Sequence, residues 1–450
     1  MSRVDIHTLA RSVIVDPVTE EKTIEGRWWL RGRENEAVPG TLEYHPAKGL
    51  NLVIKQFRSR TMKEMFETLK RPSFQAPLVI FGRDASDHAV TLHRCVTQGT
   101  NDAQGVESRE FHAQQAFVGG HFTDPDKETF GCVQLDLEYL FSWLDQREPA
   151  EVSHSDDYRL ITTKRTILEP IELDLESQGV LQLRTHAGTG SSSDRNRRSE
   201  TTRWSSDILW HFHTYVALPA IDVRVNALER LLTLLIGQPA FLRNLLLFRN
   251  RFGESQNSRG ETNMGIEILR ARRDADRKLP DILTNEFTVG FEEVRSQLAR
   301  CLIEWFPYHD RFATVLDLYF ADRFGYNHPI EVRFIFLAQA LEVYHRLKRG
   351  SHVIRLRERL EELAREHDKL LGTILPDSAA FATCVTNTRN FLTHWGEPRQ
   401  PVISDDALPA YTECLRRLLR TCIFTDLNID GSWAARLVAE PLPEPIAYVS

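Results

Sequence analysis

Two residues that can together cut a phosphodiester bond lie near the end of the chain. Arg389 and His394 are five positions apart within the stretch Thr386 to Trp395. An arginine stays charged and can hold a phosphate through two parallel hydrogen bonds while negative charge builds up on it. A histidine exchanges protons near neutral pH, so it can take the proton of a ribose 2′-OH or protonate the leaving 5′ oxygen. The pair predicts RNA cleavage without a metal or other cofactor, giving a 2′,3′-cyclic phosphate and a 5′-OH end.

Asn390 adds a third polar group beside the arginine. Its side chain can hydrogen-bond the phosphate or orient the histidine. The spacing alone has a more common explanation, which is a surface arginine on a helix and a histidine that caps the helix end. The residues by themselves therefore leave both explanations open.

The pair lies on a predicted helix. Apolar residues recur at helical spacing before and through it at Phe381, Cys384, Val385, Phe391, Leu392 and Trp395. Gly396 and Pro398 signal the end of the helix, so His394 falls in or next to its last turn. Five residues turn a helix through roughly 500°, which leaves Arg389 and His394 about 140° apart around the axis. Two such helices from two chains can combine their side chains in one cleft.

An upstream helical segment supplies further candidates. Glu342 stands on an otherwise apolar helix, where it can orient the catalytic pair or pair with a local cation. Arg346, Lys348 and Arg349 follow in the most basic stretch nearby, His345 to Arg359, and can steer an RNA backbone towards the cleft. For the later cations of this stretch we favour a solvated helix face with Arg/Glu pairs.

Length and composition limit the class of protein. The chain has 450 residues, so two or three domains are expected. Its net charge of -7 argues against a general polyanion binder, so a local basic patch must bind any nucleic acid. The six cysteines form no CxxC pair, which favours thiols in a reducing compartment over a zinc site. No apolar run approaches the roughly 20 residues of a membrane span, and no secretory signal is visible, so a cytoplasmic location without membrane contact is expected.

The first half of the chain has the alternation typical of strands. Ile24 to Leu30, which includes two adjacent tryptophans, is predicted to be a strand, and Leu42 to Ile54 a hairpin around a Pro/Gly turn. Further strand patterns lie at Pro77 to Gly82, Ala89 to Val96, Ala113 to Val118, Gly131 to Leu137, Ile171 to Leu175 and Val180 to Arg184. The series predicts an antiparallel sandwich or a barrel-like module.

From about Phe287 the pattern becomes helical. Helices are predicted at Phe291 to Trp305, Phe312 to Phe320, Pro329 to Tyr344, Val353 to Leu371, Phe381 to Trp395 and Leu408 to Ile423. The boundary is placed near residue 285, which gives an α+β protein with a β-rich domain at 1–285 and an all-α bundle at 286–450. A Gly-, Ser- and charge-rich insert near 188–203 is expected to be a flexible loop.

The sequence resembles a known family at several places. Thr388-Arg389-Asn390-Phe391-Leu392-Thr393-His394 looks like the RNxxxH form of the Rx4-6H signature of HEPN domains. Phe336 to His345 resembles the first helix of the HEPN domain in ApeA-like bacterial anti-phage proteins. Gly26 to Leu30, Val38 to Leu42 and Leu231 to Phe241 are similar to the β-rich domain that precedes HEPN in that family. The resemblance covers roughly residues 20–425, and the insert near 188–203 matches nothing.

The resemblance implies a fold, an activity and a set of partners. HEPN domains are helical bundles that usually dimerise, and active ones are RNases whose two motif copies meet at the dimer interface. Arg389, Asn390 and His394 match the motif by position, and Glu342 matches less directly. A homodimer that cuts RNA such as tRNA in abortive infection is implied, with the β-rich domain as the sensor of a phage-derived trigger.

A rival interpretation belongs to another class. Some HEPN bundles are non-catalytic modules that bind a nucleotide or a protein partner, with the N-terminal domain then sensing a ligand or phage protein. The intact Arg389 and His394 speak against that interpretation for this chain.

Overall fold

The architecture is taken from a computed structural model. The structure describes residues 21–57, 78–103, 106–145, 151–154, 161–164, 168–194, 197–250, 265–272, 275, 286–324, 328–350, 353–375, 377–394, 401–430, 432–439 and 442. Trp395, Gly396 and Pro398, which were expected to end the motif helix, lie outside these residues.

Strands make up most of the first half of the described chain. They are β1 (Lys22–Leu30), β2 (Val38–His45), β3 (Gly49–Phe57), β4 (Leu78–Asp84), β5 (Ala89–Ala103), β6 (Val106–Ala113), β7 (Gln115–Val118), β8 (Thr129–Leu137), β9 (Glu151–His154), β10 (Ile161–Lys164), β11 (Ile171–Asp174), β12 (Val180–Asp194), β13 (Arg197–Ala217), β14 (Leu242–Phe248) and β15 (Ile266–Arg270). Within the described residues, β9 and β10 form a separate pair and the other strands form one antiparallel sheet.

The first strands close into a barrel. The order β5-β4-β1-β2-β3-β6 returns to its start because β5 also pairs with β6. Leu50, Leu52 and Ile54 point into the barrel and are buried, while the alternate Asn51 and Val53 are only partly covered. The predicted hairpin and barrel-like module are therefore confirmed, and the cause is the period-two alternation of apolar residues.

The two adjacent tryptophans are both buried, on opposite sides of β1. Trp28 points into the barrel, and its Nε1 donates a hydrogen bond to the carbonyl oxygen of Gly40 at 3.0 Å. A Cβ at Gly82 would lie 2.3 Å from the Trp28 ring, so only glycine fits there. Trp29 lies under a neighbouring segment, with its ring edge-on to that of His121 at 5.4 Å.

Beyond the barrel the sheet continues from β7 through β15, β14, β8, β13, β12 and β11. One face of this extension carries Val133, Leu135 and Trp210 and belongs to a large hydrophobic core that also includes the helices. Alternate positions such as Asp136 and Asp207 lie on the opposite side. We call that side of β11, β12, β13, β8 and β14 the polar face.

The insert near 188–203 differs from the expected flexible loop. Its described backbone continues β12 and β13 as a hairpin, with pairing from Val180 opposite His211 to Asp194 opposite Arg197. Backbone N–H and C=O groups form such a ladder without apolar side chains, so the Gly/Ser/charge composition did not indicate a strand.

One short helix lies between β8 and β9, and the other helices follow β13. They are α1 (Leu140–Leu144), α2 (Leu218–Ile236), α3 (Phe291–Val294), α4 (Leu298–Arg311), α5 (Ala313–Phe324), α6 (Ile330–Arg349), α7 (Leu356–Glu366), α8 (Asp368–Leu371), α9 (Ser378–His394), α10 (Leu408–Asp426) and α11 (Ser432–Ala439). The predicted helical half is confirmed. The single helix expected at Val353 to Leu371 is divided at His367 into α7 and α8.

The strands beyond the barrel share one hydrophobic core with the helices. Trp305 of α4 donates a hydrogen bond from Nε1 to the carbonyl oxygen of Ala227 on α2 at 2.7 Å. Trp143 of α1 donates to the carbonyl oxygen of Val289 at 2.9 Å. One hydrophobic cluster runs from the sheet through both sets of helices. The boundary near residue 285 stays a prediction, since residues 276–285 lie outside the described part.

Candidate active site

Helix α9 carries the predicted motif, and its start is held by a cap and an aromatic contact. Asp377 caps its start, where Oδ1 accepts hydrogen bonds from the N–H groups of Ala379 and Ala380 at 3.0 and 2.9 Å. The ring of Phe381 stacks on that of Tyr411 of α10, with centroids 5.9 Å apart. The described part of the helix runs to His394, and its predicted end after Trp395 lies outside the described residues.

Arg389 and Glu342 approach each other across two helices. Nη2 of Arg389 on α9 lies 3.7 Å from Oε2 of Glu342 on α6, and about 30% of each side chain is exposed. Nη1 of Arg389 also donates a hydrogen bond to Oδ1 of Asn390 at 3.3 Å. The guanidinium is thus held on one side and remains accessible on the other, as an anion-binding group requires.

His394 is exposed at the last turn of α9. In the described part of the chain its imidazole has no hydrogen-bond partner. Arg389 and His394 share the helix but not a face, because five residues separate them by about 140° around the axis. One copy of α9 does not bring the two side chains together.

The three cations predicted to bind RNA have different surroundings. Arg346 is exposed one helical turn after Glu342, and no described residue pairs with its side chain. Lys348 donates to Oδ1 of Asp426 at 2.6 Å, and Arg349 donates to Oε2 of Glu366 at 2.6 Å. Among these three, Arg346 is the one whose charge is not already compensated.

Asp426 is held by a second donor as well. The hydroxyl of Tyr344 donates to Oδ2 of Asp426 at 2.9 Å. Burial raises the pKa of Tyr344 far above its usual range, so the hydroxyl stays protonated and keeps donating. The end of α6 is therefore tied to α10 through one carboxylate.

Two members of the basic stretch prove to be internal. His345 and Arg359 are 1% and 3% exposed, so neither can contact an RNA backbone. Nδ1 of His345 lies 3.2 Å from Nη1 of Arg359, and Nε2 lies 2.7 Å from Oε2 of Glu362. A guanidinium only donates, so Nδ1 accepts and Nε2 carries the proton given to Glu362. This network joins α6 to α7.

Two residues that no sequence pattern singled out hold the chain after the motif. Thr388, which is 3% exposed, accepts the backbone N–H of Ile403 through Oγ1 at 2.8 Å. Asn387 donates from Nδ2 to the carbonyl oxygen of Pro401 at 3.3 Å. Their polar character directly before Arg389 was the available signal, but the partner segment could not be inferred from spacing.

Two other kinds of feature are absent from the described residues. No three His, Cys, Asp or Glu side chains are grouped there as metal ligands. None of the helices in the described ranges combines the length and the apolar character that a membrane crossing requires.

Two family models match this chain. The one described as ApeA N-terminal domain 1 matches residues 23–264, more than half of the chain. The one described as Apea-like HEPN matches residues 335–431, which include Glu342, Arg389 and His394. No curated protein and no solved structure matches the chain.

The fold and the motif define a class of protein in which a β-barrel-rich region is followed by a helical HEPN domain. Both matches point to the same family, and they follow each other in the order of the two parts of the fold. The chain belongs to the ApeA-like HEPN proteins.

Proposed function

We propose that the chain is an anti-phage defence ribonuclease that cleaves RNA, with tRNA as the expected substrate, and so brings about abortive infection. The observation that carries the proposal is the arrangement on α9. Arg389 is held by Glu342 at 3.7 Å with part of its surface open, and His394 is exposed and unpaired in the described part of the chain. Membership of a family whose HEPN domains are generally RNases supports it.

Each residue has a role that its chemistry allows. His394 removes the proton of the ribose 2′-OH or protonates the 5′ oxygen as it leaves. Arg389 binds the phosphate and stabilises the charge that develops on it, and Asn390 assists. The 2′ oxygen attacks phosphorus, the bond to the 5′ oxygen breaks, and the products carry a 2′,3′-cyclic phosphate and a 5′-OH. No metal or cofactor takes part.

A second copy of the chain completes this site. Arg389 and His394 point in different directions from one helix, so two copies of α9 are needed to place both groups at one phosphate. We therefore propose a homodimer formed through the HEPN domain. In this cytoplasmic assembly the β-rich region is the sensor or regulator that responds to a phage-derived trigger.

The test is cleavage of total cellular RNA and tRNA by the purified full chain in EDTA. Wild type is compared with His394→Ala, Arg389→Ala and the control His88→Ala, which removes a half-exposed surface histidine paired with Asp84 in the barrel. General acid–base catalysis contributes about 10²- to 10⁴-fold, so a loss of that order is expected for His394→Ala. His88→Ala should cut like wild type and leave cyclic phosphate ends.

Two results would overturn the proposal. The first is undiminished cleavage by both motif variants. The second is the absence of cleavage by wild type even when phage-infected lysate is added, which would favour a non-catalytic HEPN module that binds a nucleotide or partner. Light scattering of the same samples tests the dimer, because a monomer at the assay concentration contradicts the shared site.

A further inference from the structure

The polar face of the sheet carries a row of charged and amide side chains. Arg184 on β12 pairs in register with Asp207 on β13, and Asn244 on β14 pairs in register with Asp136 on β8. Ile208 on β13 pairs with Leu135 on β8, and this register places Asp207 opposite Asp136. The row therefore runs straight across four neighbouring strands. Direct partners have Cβ atoms about 4.5–5.5 Å apart.

In one half of this row both oxygens of the Asp207 carboxylate accept hydrogen bonds. Oδ1 of Asp207 accepts from Nε of Arg184 at 2.6 Å. Oδ2 of Asp207 receives hydrogen bonds from Gln134 and His186, each at 2.9 Å. These contacts outweigh burial, which by itself would raise the pKa of Asp207, and keep that pKa below its usual value. Asp207 therefore needs no ligand.

In the other half of the row, polar groups lack hydrogen-bond partners. In the described structure the Asp136 carboxylate has no hydrogen-bond or ion-pair partner, although it is only partly accessible. Oδ1 of Asn244, which is 9% exposed, and Nε of Arg243 are buried without a hydrogen-bond partner. Native proteins leave few such groups unpaired, and an unfilled ligand site is one reason for an exception.

A β-bulge places the guanidinium of Arg243 in this half of the row. The register between β14 and β8 shifts between Leu242 and Asn244, so Arg243 is the extra residue of the bulge. Bulges redirect a side chain, and here the guanidinium of Arg243 acts electrostatically on Asp136. The two charges attract, but no ion pair joins them, so each can bind an oppositely charged group of a ligand.

We propose that Asp136, Asn244 and Arg243 form a binding site for a small zwitterion of the α-amino acid class. The proposal is independent of the ribonuclease site. An ammonium group supplies the donors that Asp136 and the Asn244 amide oxygen accept, and a carboxylate accepts from Arg243. The three residues occupy one cross-strand pair and its bulge, so the two ligand charges must be separated by only a few bonds. That compactness favours an amino acid over a nucleotide, whose base and phosphate lie further apart.

The test is isothermal titration calorimetry of the full chain with glycine and then with the other standard L-amino acids, one at a time. At least one should give saturable binding. Its N-acetyl derivative and its methyl ester each lack one charge, and each should bind at least about tenfold more weakly.

Variants separate this site from the rest of the polar face. Asp136→Asn and Arg243→Gln should each weaken binding at least about tenfold. The control Glu172→Gln removes an exposed carboxylate from the same face, on β11, and should bind like wild type. Asn244→Ala deletes an unpartnered polar atom, so it should weaken binding while the thermal transition of the chain is kept.

The pH dependence of amino-acid binding gives a further test. Burial raises the pKa of Asp136 to about 6, with Asp207 and Glu138 acting in the same direction and Arg243 and Arg272 opposing them. An ammonium binds the ionised carboxylate, so affinity should fall as the pH is lowered from 8 to 5. The proposal is overturned if no amino acid binds wild type, which would mean that only water contacts these residues. It is also overturned if Asp136→Asn and Asn244→Ala both bind like wild type.

Discussion

Oε2 of Glu342 lies 3.7 Å from Nη2 of Arg389, so a carboxylate of α6 faces the arginine that α9 presents for a phosphate. Because both side chains are partly exposed, the pair adds at most about 1 kcal/mol to folding stability. Its effect is therefore expected on the direction of the guanidinium rather than on the fold.

Replacing Glu342 by glutamine should slow RNA cleavage by about tenfold with an unchanged melting temperature, since a misdirected arginine stabilises less of the transition-state charge. Steady-state kinetics on tRNA should show a larger effect on kcat than on KM. Glu331→Gln, on the first turn of the same helix, is the control and should cleave normally. Equal RNA cleavage rates for the two variants would show that Glu342 does not act in the site.

Arg346→Gln should weaken RNA binding and lower the slope of log affinity against log salt by close to one, because Arg346 is exposed and has no described partner. Lys348→Gln should change that slope far less, since Asp426 already compensates its charge at 2.6 Å. Both are measured in the His394→Ala background, where RNA stays intact. The reverse order of the two effects would place the RNA backbone nearer to Lys348.

Asp322→Asn should destabilise the chain by about 1–3 kcal/mol, because the buried Arg416 keeps only its contact with Glu413 and the partly exposed Arg333 loses its ion pair. The side chain of Asp322 has no exposed surface, and it accepts from Nε of Arg416 and from Nε of Arg333, each at 2.8 Å. The exposed pair of Glu292 with Arg295 provides the control, and Glu292→Gln should cost at most about 1 kcal/mol. Urea unfolding followed by circular dichroism measures both.

The same carboxylate should make stability depend on acid. Burial would raise the pKa of Asp322, but hydrogen bonds and charge from Arg416 and Arg333 outweigh it and lower that pKa. Its stabilising contribution is then complete above the unfolded value of about 3.9 and is lost as the pH falls through the lower folded value. Urea midpoints of wild type should drop below about pH 4 more steeply than those of Asp322→Asn. Parallel curves would contradict this.

Thr388→Val should cost about 1–3 kcal/mol, because the N–H of Ile403 loses its acceptor in a buried position. Thr386→Val is the matched control, since the Thr386 hydroxyl only donates back to the carbonyl oxygen of Ala382 within α9. Its effect should stay within about 0.5 kcal/mol. Similar chemical denaturation curves for the two variants would show that the anchor of residues 401–403 is not important for stability.

Local pattern was enough to predict the barrel strands and most helices. The alternation of Leu50, Leu52 and Ile54 has a direct physical cause, because alternate side chains of a strand enter the core. The long hairpin of β12 and β13 was missed because backbone pairing holds it and its composition carries no such alternation. Hydrogen bonds between main-chain atoms leave little trace in side-chain type.

The candidate site was predictable only in part for a related reason. Charge identifies Arg389 and His394 as chemically capable, but it does not report burial, so His345 was grouped with surface cations although it is internal. The partner of Lys348, Asp426, comes from a helix much later in the chain. Pairings of this kind are fixed by how helices pack rather than by spacing.

The hydrogen bond from Trp305 to Ala227 and the ring of Phe306 against Trp210, at 5.3 Å between centroids, join the sheet beyond the barrel and the helices in one hydrophobic core. We expect these two parts to unfold together, since neither can keep its apolar surface covered without the other. A change that loosens the sheet beneath Trp210 should therefore lower the stability of the helices as well.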